Sequence, residues 1–140
     1  MSIKYKKLLE QRRKEYKNYT PVFCPCLKEY IYFNSDGFIH LRFHANGIPR
    51  KRQERMYKLG LLPLVIPTIK TATTIEKHEY RLAPINRKKK NGQKIMKDMQ
   101  FWGIISIVGK QNVKLKVVLR KIGTGKICFW SVMKLKENKN

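Results

Sequence analysis

The chain has 140 residues, and its 32 Lys and Arg against 9 Asp and Glu give a formal charge of +23 at pH 7. At 42% hydrophobic and 11% aromatic residues it can fill one packed core, and it is too short for two ordinary domains. A surface this positive draws polyanions, which puts nucleic acid first and an anionic membrane second, and sets aside a generic metabolic protein.

In chain order, Tyr5, Leu8, Leu9, Arg12 and Tyr16 fall at helical spacing among Lys and Arg. This predicts a basic amphipathic helix from about 3 to 18, ended by Thr20-Pro21. Pro-Val-Phe-Cys-Pro-Cys follows as a loop or short extended segment. The β-prone run from Glu29 to Phe33 leads into Asn34-Ser35-Asp36, cap chemistry for a helix through Gly37-Phe38-Ile39-His40-Leu41. Gly47-Ile48-Pro49 breaks that element. Arg50 to Leu59 reads as a charged helix, with Gly60 in the place of a C-terminal cap. Leu61 to Ile69, interrupted by Pro63 and Pro67, reads as a short buried helix or turn.

From Lys77 the pattern changes to that of strands. His78 to Asn86 is one; beyond a solvated basic loop, Arg87 to Gly92, come Phe101 to Val108, Val113 to Ile122 and Ile127 to Leu135. Gly109-Lys110-Gln111-Asn112 and Gly123-Thr124-Gly125-Lys126 have hairpin compositions. The expectation is a single α+β domain over 1–140, in which N-terminal helices pack on a roughly four-stranded antiparallel sheet. Its parts are a basic helix and loop over 1–28, a mainly helical half over 29–70 and the sheet half over 77–136. No run of about 18 apolar residues exists, so neither a transmembrane helix nor a membrane partner is expected. Met1 to Tyr19 lacks the apolar stretch of a secretory signal, and the three cysteines Cys24, Cys26 and Cys128 make no disulfide framework. A cytoplasmic location fits best.

The strand from Lys114 to Ile122 alternates. Leu115, Val117 and Leu119 point to a core, and Lys114, Lys116, Val118 and Arg120 point away from it. A two-residue Thr124-Gly125 turn pairs Leu119 with Trp130 and Val117 with Val132, and sets Phe129 and Ser131 beside Arg120 and Val118. The outer face then carries Lys116, Arg120, Ser131 and an aromatic ring, which suits a phosphate and a stacked base. The plainer reading is a face kept wet by its cations.

The stretch Phe33 to Leu41, the run Arg50 to Arg55 leading into Leu59-Gly60-Leu61-Leu62-Pro63-Leu64, and the closing hairpin Val117 to Met133 together resemble a known group. It is the barnase–EndoU–colicin–RelE superfamily of toxin-type nucleases, especially its phage- and mobile-element-associated branch. The resemblance covers roughly residues 30 to 135. It implies one or two helices before a four-stranded antiparallel sheet, endoribonuclease activity without metal or other cofactor, and an acidic antitoxin partner. The substrate it implies is mRNA or tRNA, on the ribosome or free. Residue by residue, His40 matches the helical histidine, Arg55 a helical arginine near the site, and Arg120 and Ser131 the sheet positions that hold the phosphate. His78 or Tyr80 enters from the first strand. Lys114, Lys116, His78 and Phe129 are the expected RNA contacts, and Glu54 and Glu79 are candidate bases.

Metal-free RNA cleavage needs a base for the 2′-OH proton, an acid for the 5′-O leaving group and cations for the charge developing on phosphoryl oxygens. His40 suits either proton role, since an unperturbed imidazole titrates near pH 6.5. Arg120 and Lys116 supply the electrostatic contribution, about 3 kcal/mol per well-placed donor. Ser131 or Tyr80, with Arg55 from the helical side, positions the phosphate. Each has a bland counterpart: His40 as a core histidine, Arg55 on a solvated helix face, and Trp102 and Trp130 as core rather than stacking platforms.

Two other classes compete. One is a non-catalytic RNA- or DNA-binding module, ribosome-associated or zinc-bearing; the other is a basic scaffold protein. The zinc reading rests on Cys24-x-Cys26 and His40-x-x-x-His44, close to the two-Cys two-His finger pattern. The single Pro25 between the cysteines is shorter than that pattern requires, so no metal site is expected.

Overall fold

Amphipathic spacing sets the first helix, α1 (Ile3–Lys17), which buries Tyr5 and Tyr16 and turns its lysines outward. The computed structural model describes residues 3–88, 92 and 94–136, so residues 89–91 of the expected basic loop lie outside the described residues. A short hairpin follows, β1 (Val22–Cys24) and β2 (Glu29–Ile31), with Cys24 and Ile31 in the core. Asn34 then caps α2 (Ser35–Arg42) as its chemistry predicts, its side chain accepting from the Gly37 N–H at 3.2 Å. The buried residues of α2 are Gly37, Phe38 and Leu41.

Gly60 does not end the next helix. α3 (Arg52–Leu61) runs through it into a 3-10 turn, Leu62–Leu64, and then α4 (Val65–Thr71). The reason is burial: Leu62, Val65 and Ile69 are fully enclosed, so the chain gains by staying helical. Pro63 and Pro67 both fall in first turns, where a missing N–H removes no helical bond.

The second half is one antiparallel sheet in the order β3 (Thr74–Lys88), β4 (Lys94–Val108), β5 (Val113–Ile122) and β6 (Ile127–Lys134). The fold class is therefore the α+β arrangement expected, with helices packed on a four-stranded sheet. β3 takes in Arg87 and Lys88, and β4 begins seven residues before Phe101, because the two strands pair with each other past the point where β5 ends. Ile104, Leu115, Val117, Leu119, Phe129 and Val132 face the helices and are buried. Tyr32 extends the edge of β6: its N–H donates to Ile127 O at 2.9 Å, and Phe129 N–H donates to Tyr32 O at 2.8 Å. Among the described residues, no helix is long and apolar enough to cross a membrane.

The closing hairpin departs from the expected register. Val117 faces Val132 and Val118 faces Ser131 as predicted, but a bulge follows, and Leu119 faces Phe129 while Arg120 faces Cys128. Phe129 thus turns inward, 1% exposed, against the rings of Tyr16 and Phe33, and is a core residue rather than an RNA contact. Trp130 joins Ser131 on the outer face, since a bulge sets two residues against one.

Candidate functional site

The outer face of the sheet is the floor of a cleft of ≈ 410 Å³. Lys77, Glu79 and Arg81 come from β3, Gly103 from β4, and Lys116 and Val118 from β5. Trp130 and Ser131 form its far side. Lys116 crosses the floor where β4 carries Gly103; a Cβ there would lie 2.7 Å from Lys116 Cε. Its Nζ is held at 3.2 Å from Glu76 Oε2.

The wall beside Trp130 and Ser131 comes from α2, α3 and the segment between them, and Arg50 organises it. This buried guanidinium donates from Nε to His40 O at 2.9 Å, from Nη2 to His40 Nε2 at 3.2 Å and from Nη1 to Glu54 Oε1. Because a guanidinium can only donate, His40 Nε2 must accept, which makes the ring neutral with its proton on Nδ1. Burial and the cations Arg50, Lys58 and Arg120 lower its pKa from 6.5 to about 4. The imidazole lies flat on Trp130, with centroids 3.9 Å apart and planes 11° from parallel.

This environment sets a pH dependence. Between about pH 4 and 6.5 the unfolded chain binds a proton at His40 that the folded chain refuses. Stability is therefore expected to fall as pH is lowered through that window, and His40→Gln to fall less steeply. Thermal melts of both proteins across the window check this; parallel curves would show that the folded imidazole titrates normally.

Lys58, 7% exposed on α3, reaches the same cleft. Its Nζ donates to Val132 O at 2.9 Å and to Ser131 Oγ at 3.3 Å. Burial first, and Arg50 second, pull its pKa from 10.5 down to about 8, against the opposing carboxylate of Glu54. Glu79, also in the cleft, has its carboxyl held below the usual value by a hydrogen bond from Lys77 and by that cation's charge.

Arg120 lies across Trp130 from this cleft. Its guanidinium sits 3.8 Å from the indole centroid, and Nη2 pairs with Asp36 Oδ2 at 3.0 Å. It lines a second hollow of ≈ 470 Å³ with Asp36 and His44. Trp130 and the His40 ring stacked on it border both hollows and form the partition between them.

Of the expected site residues, the cleft collects His40, Lys116 and Ser131 together with the candidate bases Glu54 and Glu79. Arg55 is not among them: it lies 4.7 Å over the Tyr5 ring, because burial of Leu59 rotates it toward α1. Strand alternation places His78 and Tyr80 on the face opposite Glu79. There His78 stacks on Trp102 at 4.9 Å and Tyr80 is 64% exposed. Lys114 belongs to a separate groove with Tyr57 and Lys134. Cys24 is enclosed in the core, and among the described residues no three His, Cys, Asp or Glu side chains come together as a metal site.

Arg50, Lys58 and Arg81 were not candidates from sequence, and Trp130, expected in the core, instead lines the cleft. A trace of Lys58 was there, since Glu54, Lys58 and the buried Leu62 recur at intervals of one helical turn. No family model, no curated protein and no solved structure matches the chain.

Proposed function

We propose that the chain is a toxin-type endoribonuclease of the barnase–EndoU–colicin–RelE kind, cleaving RNA in this cleft by metal-independent acid–base phosphoryl transfer. The observation that carries the reading is the cleft's content: a buried lysine with pKa about 8, two carboxylates, a hydroxyl and several cations, on a chain of net charge +23. A group titrating this near neutrality can release and regain a proton at working pH.

In the proposed reaction the 2′-oxygen attacks phosphorus while its proton passes to a cleft carboxylate, Glu54 or Glu79. The bond from phosphorus to the 5′-oxygen breaks, and the Lys58 ammonium protonates the leaving oxygen. The products are a 2′,3′-cyclic phosphate and a 5′-hydroxyl. Lys116, Arg81 and Arg50 face the charge that develops on the phosphoryl oxygens. His40 is uncharged and already accepts from Arg50, so its part is to hold Arg50 and Trp130 in place. Such a surface also suits an acidic antitoxin as partner, and the cytoplasm as the place of action.

Wild-type protein is expected to cleave a short unstructured RNA in EDTA and to leave those ends. Replacing the true base, Glu54→Gln or Glu79→Gln, should slow cleavage by about 10²–10⁴-fold and identify it. A second reading, RNA binding without cleavage, is favoured by the prior commitment of Arg120 to Asp36 and of His40 to Arg50. Salt-sensitive binding with intact RNA would establish it.

A further inference from the structure

Away from the cleft, where α2 and α3 meet α1, three arginines gather around buried rings. Arg55 Nη1 donates to the Tyr5 hydroxyl at 3.5 Å, with its guanidinium stacked over that ring. Arg42 lies 5.6 Å from the Phe38 centroid and 5.2 Å from that of Phe43. Arg13, from α1, lies 5.9 Å over Phe38.

Among the described residues, none of the three has an ion pair. The contrast with the cleft is sharp, since Glu54, Glu76, Glu79 and Asp36 all go to cations around the two hollows. The Nε atoms of Arg42 and Arg55 are buried without an acceptor. Each guanidinium carries five N–H donors, and a single hydroxyl with some aromatic faces leaves most of them unused. Burial and the nearby charges of Arg13 and Arg55 push the Arg42 pKa down, with Tyr5 as the opposing influence. Like charges held this close, with donors to spare, gain by sharing an anion.

We propose that Arg13, Arg42 and Arg55 form a second anion site, which takes a phosphate group. Three forked cations approaching from different helices match the tetrahedral oxygens of a phosphate group better than the coplanar pair of a carboxylate. The group is either a backbone phosphodiester of bound RNA or a free phosphate. The first is within geometric reach: α2 turns His40 to the cleft and Arg42 away from it, and on α3 Arg55 stands only about 60° around the helix from Lys58. The site thus lies behind the wall that α2 and α3 give the cleft. It stands whether or not the cleft cleaves RNA.

The test uses the full chain and two probes: inorganic phosphate at constant ionic strength, and an unstructured RNA without terminal phosphates. Exposed Arg13→Gln and half-buried Arg42→Gln are compared with Lys4→Gln, an exposed control of equal charge change on α1. Phosphate affinity by calorimetry is expected to fall about tenfold or more in the two arginine variants and to hold in the control. With RNA, each lost phosphate contact should make the slope of log affinity against log salt shallower by about 0.7. A change with both probes assigns the site to the RNA backbone, and a change with phosphate alone assigns it to a free phosphate. Either result upholds the site. Phosphate affinity equal in wild type, Arg13→Gln and Arg42→Gln would overturn it, as would phosphate binding no stronger than chloride.

Discussion

Lys58→Met is expected to slow RNA cleavage by about a thousandfold while leaving the protein at least nearly as stable as wild type. Both effects arise from the burial of one ammonium group. In the unfolded chain Lys58 holds its proton up to its ordinary pKa of 10.5, and burial brings this to about 8 in the folded state. The folded protein therefore carries a charge it would be more stable without, and wild-type stability should rise as pH climbs from 8 toward 10.5. Methionine fills the same channel without a charge. It leaves Ser131 Oγ and Val132 O without their donor, a loss of about 1–3 kcal/mol, which relief of the buried ammonium offsets in part or in full. Loss of a general acid costs about 10²–10⁴ in rate. Lys58→Arg separates charge from proton transfer, because a guanidinium keeps the first and cannot perform the second. Single-turnover cleavage and thermal melting of the three proteins give the answer. Full activity in Lys58→Met would remove the lysine from the mechanism, and unfolding of that variant would make it a structural residue.

What the sequence showed and what it hid follow from where each signal is stored. Alternation in Leu115, Val117 and Leu119 is local, so the core face of β5 and the outward path of Lys116 and Arg120 could be read directly. The Asn34 cap is equally local. The bulge was hidden because Cys128, Trp130 and Val132 make as good an apolar alternation as Ile127 and Phe129 do, and packing against Tyr16 and Phe33 decides between them. In Arg50 to Lys58 nearly every position is polar or charged. Which of these residues faces the sheet depends on the rotation of α3, and that is fixed by Leu59 and Leu62 in a core assembled from distant segments. His40 was legible as a site residue, but not its neutrality, which comes from an arginine ten residues away.

Gly37→Ala is the substitution expected to cost the fold most for its size. In an ordinary exposed helix the change from Gly to Ala stabilises by about 1 kcal/mol. Gly60 offers that case: it lies within α3, exposed, with no heavy atom within 4 Å of a would-be Cβ, and Gly60→Ala should gain about that amount. At Gly37 a Cβ would stand 2.5 Å from Phe129 O, 2.8 Å from Phe129 Cδ2 and 3.0 Å from the Tyr16 hydroxyl. None of these can yield cheaply. Phe129 O belongs to the β6 backbone, the Phe129 ring is enclosed in the core, and the Tyr16 hydroxyl donates to Asn34 O beside the α2 cap. Helix α2 must therefore lift from the sheet, and the net loss should be about 2–4 kcal/mol. Because α2 also carries His40 and Asp36, the lift separates His40 from Trp130 and loosens the Arg120–Asp36 pair. RNA affinity should then fall even where the variant remains folded. Denaturant titrations of Gly37→Ala and Gly60→Ala are expected to shift in opposite directions. A shift of Gly37→Ala toward greater stability would mean that α2 and β6 are not packed this closely, and that the wall of the cleft is set by other contacts.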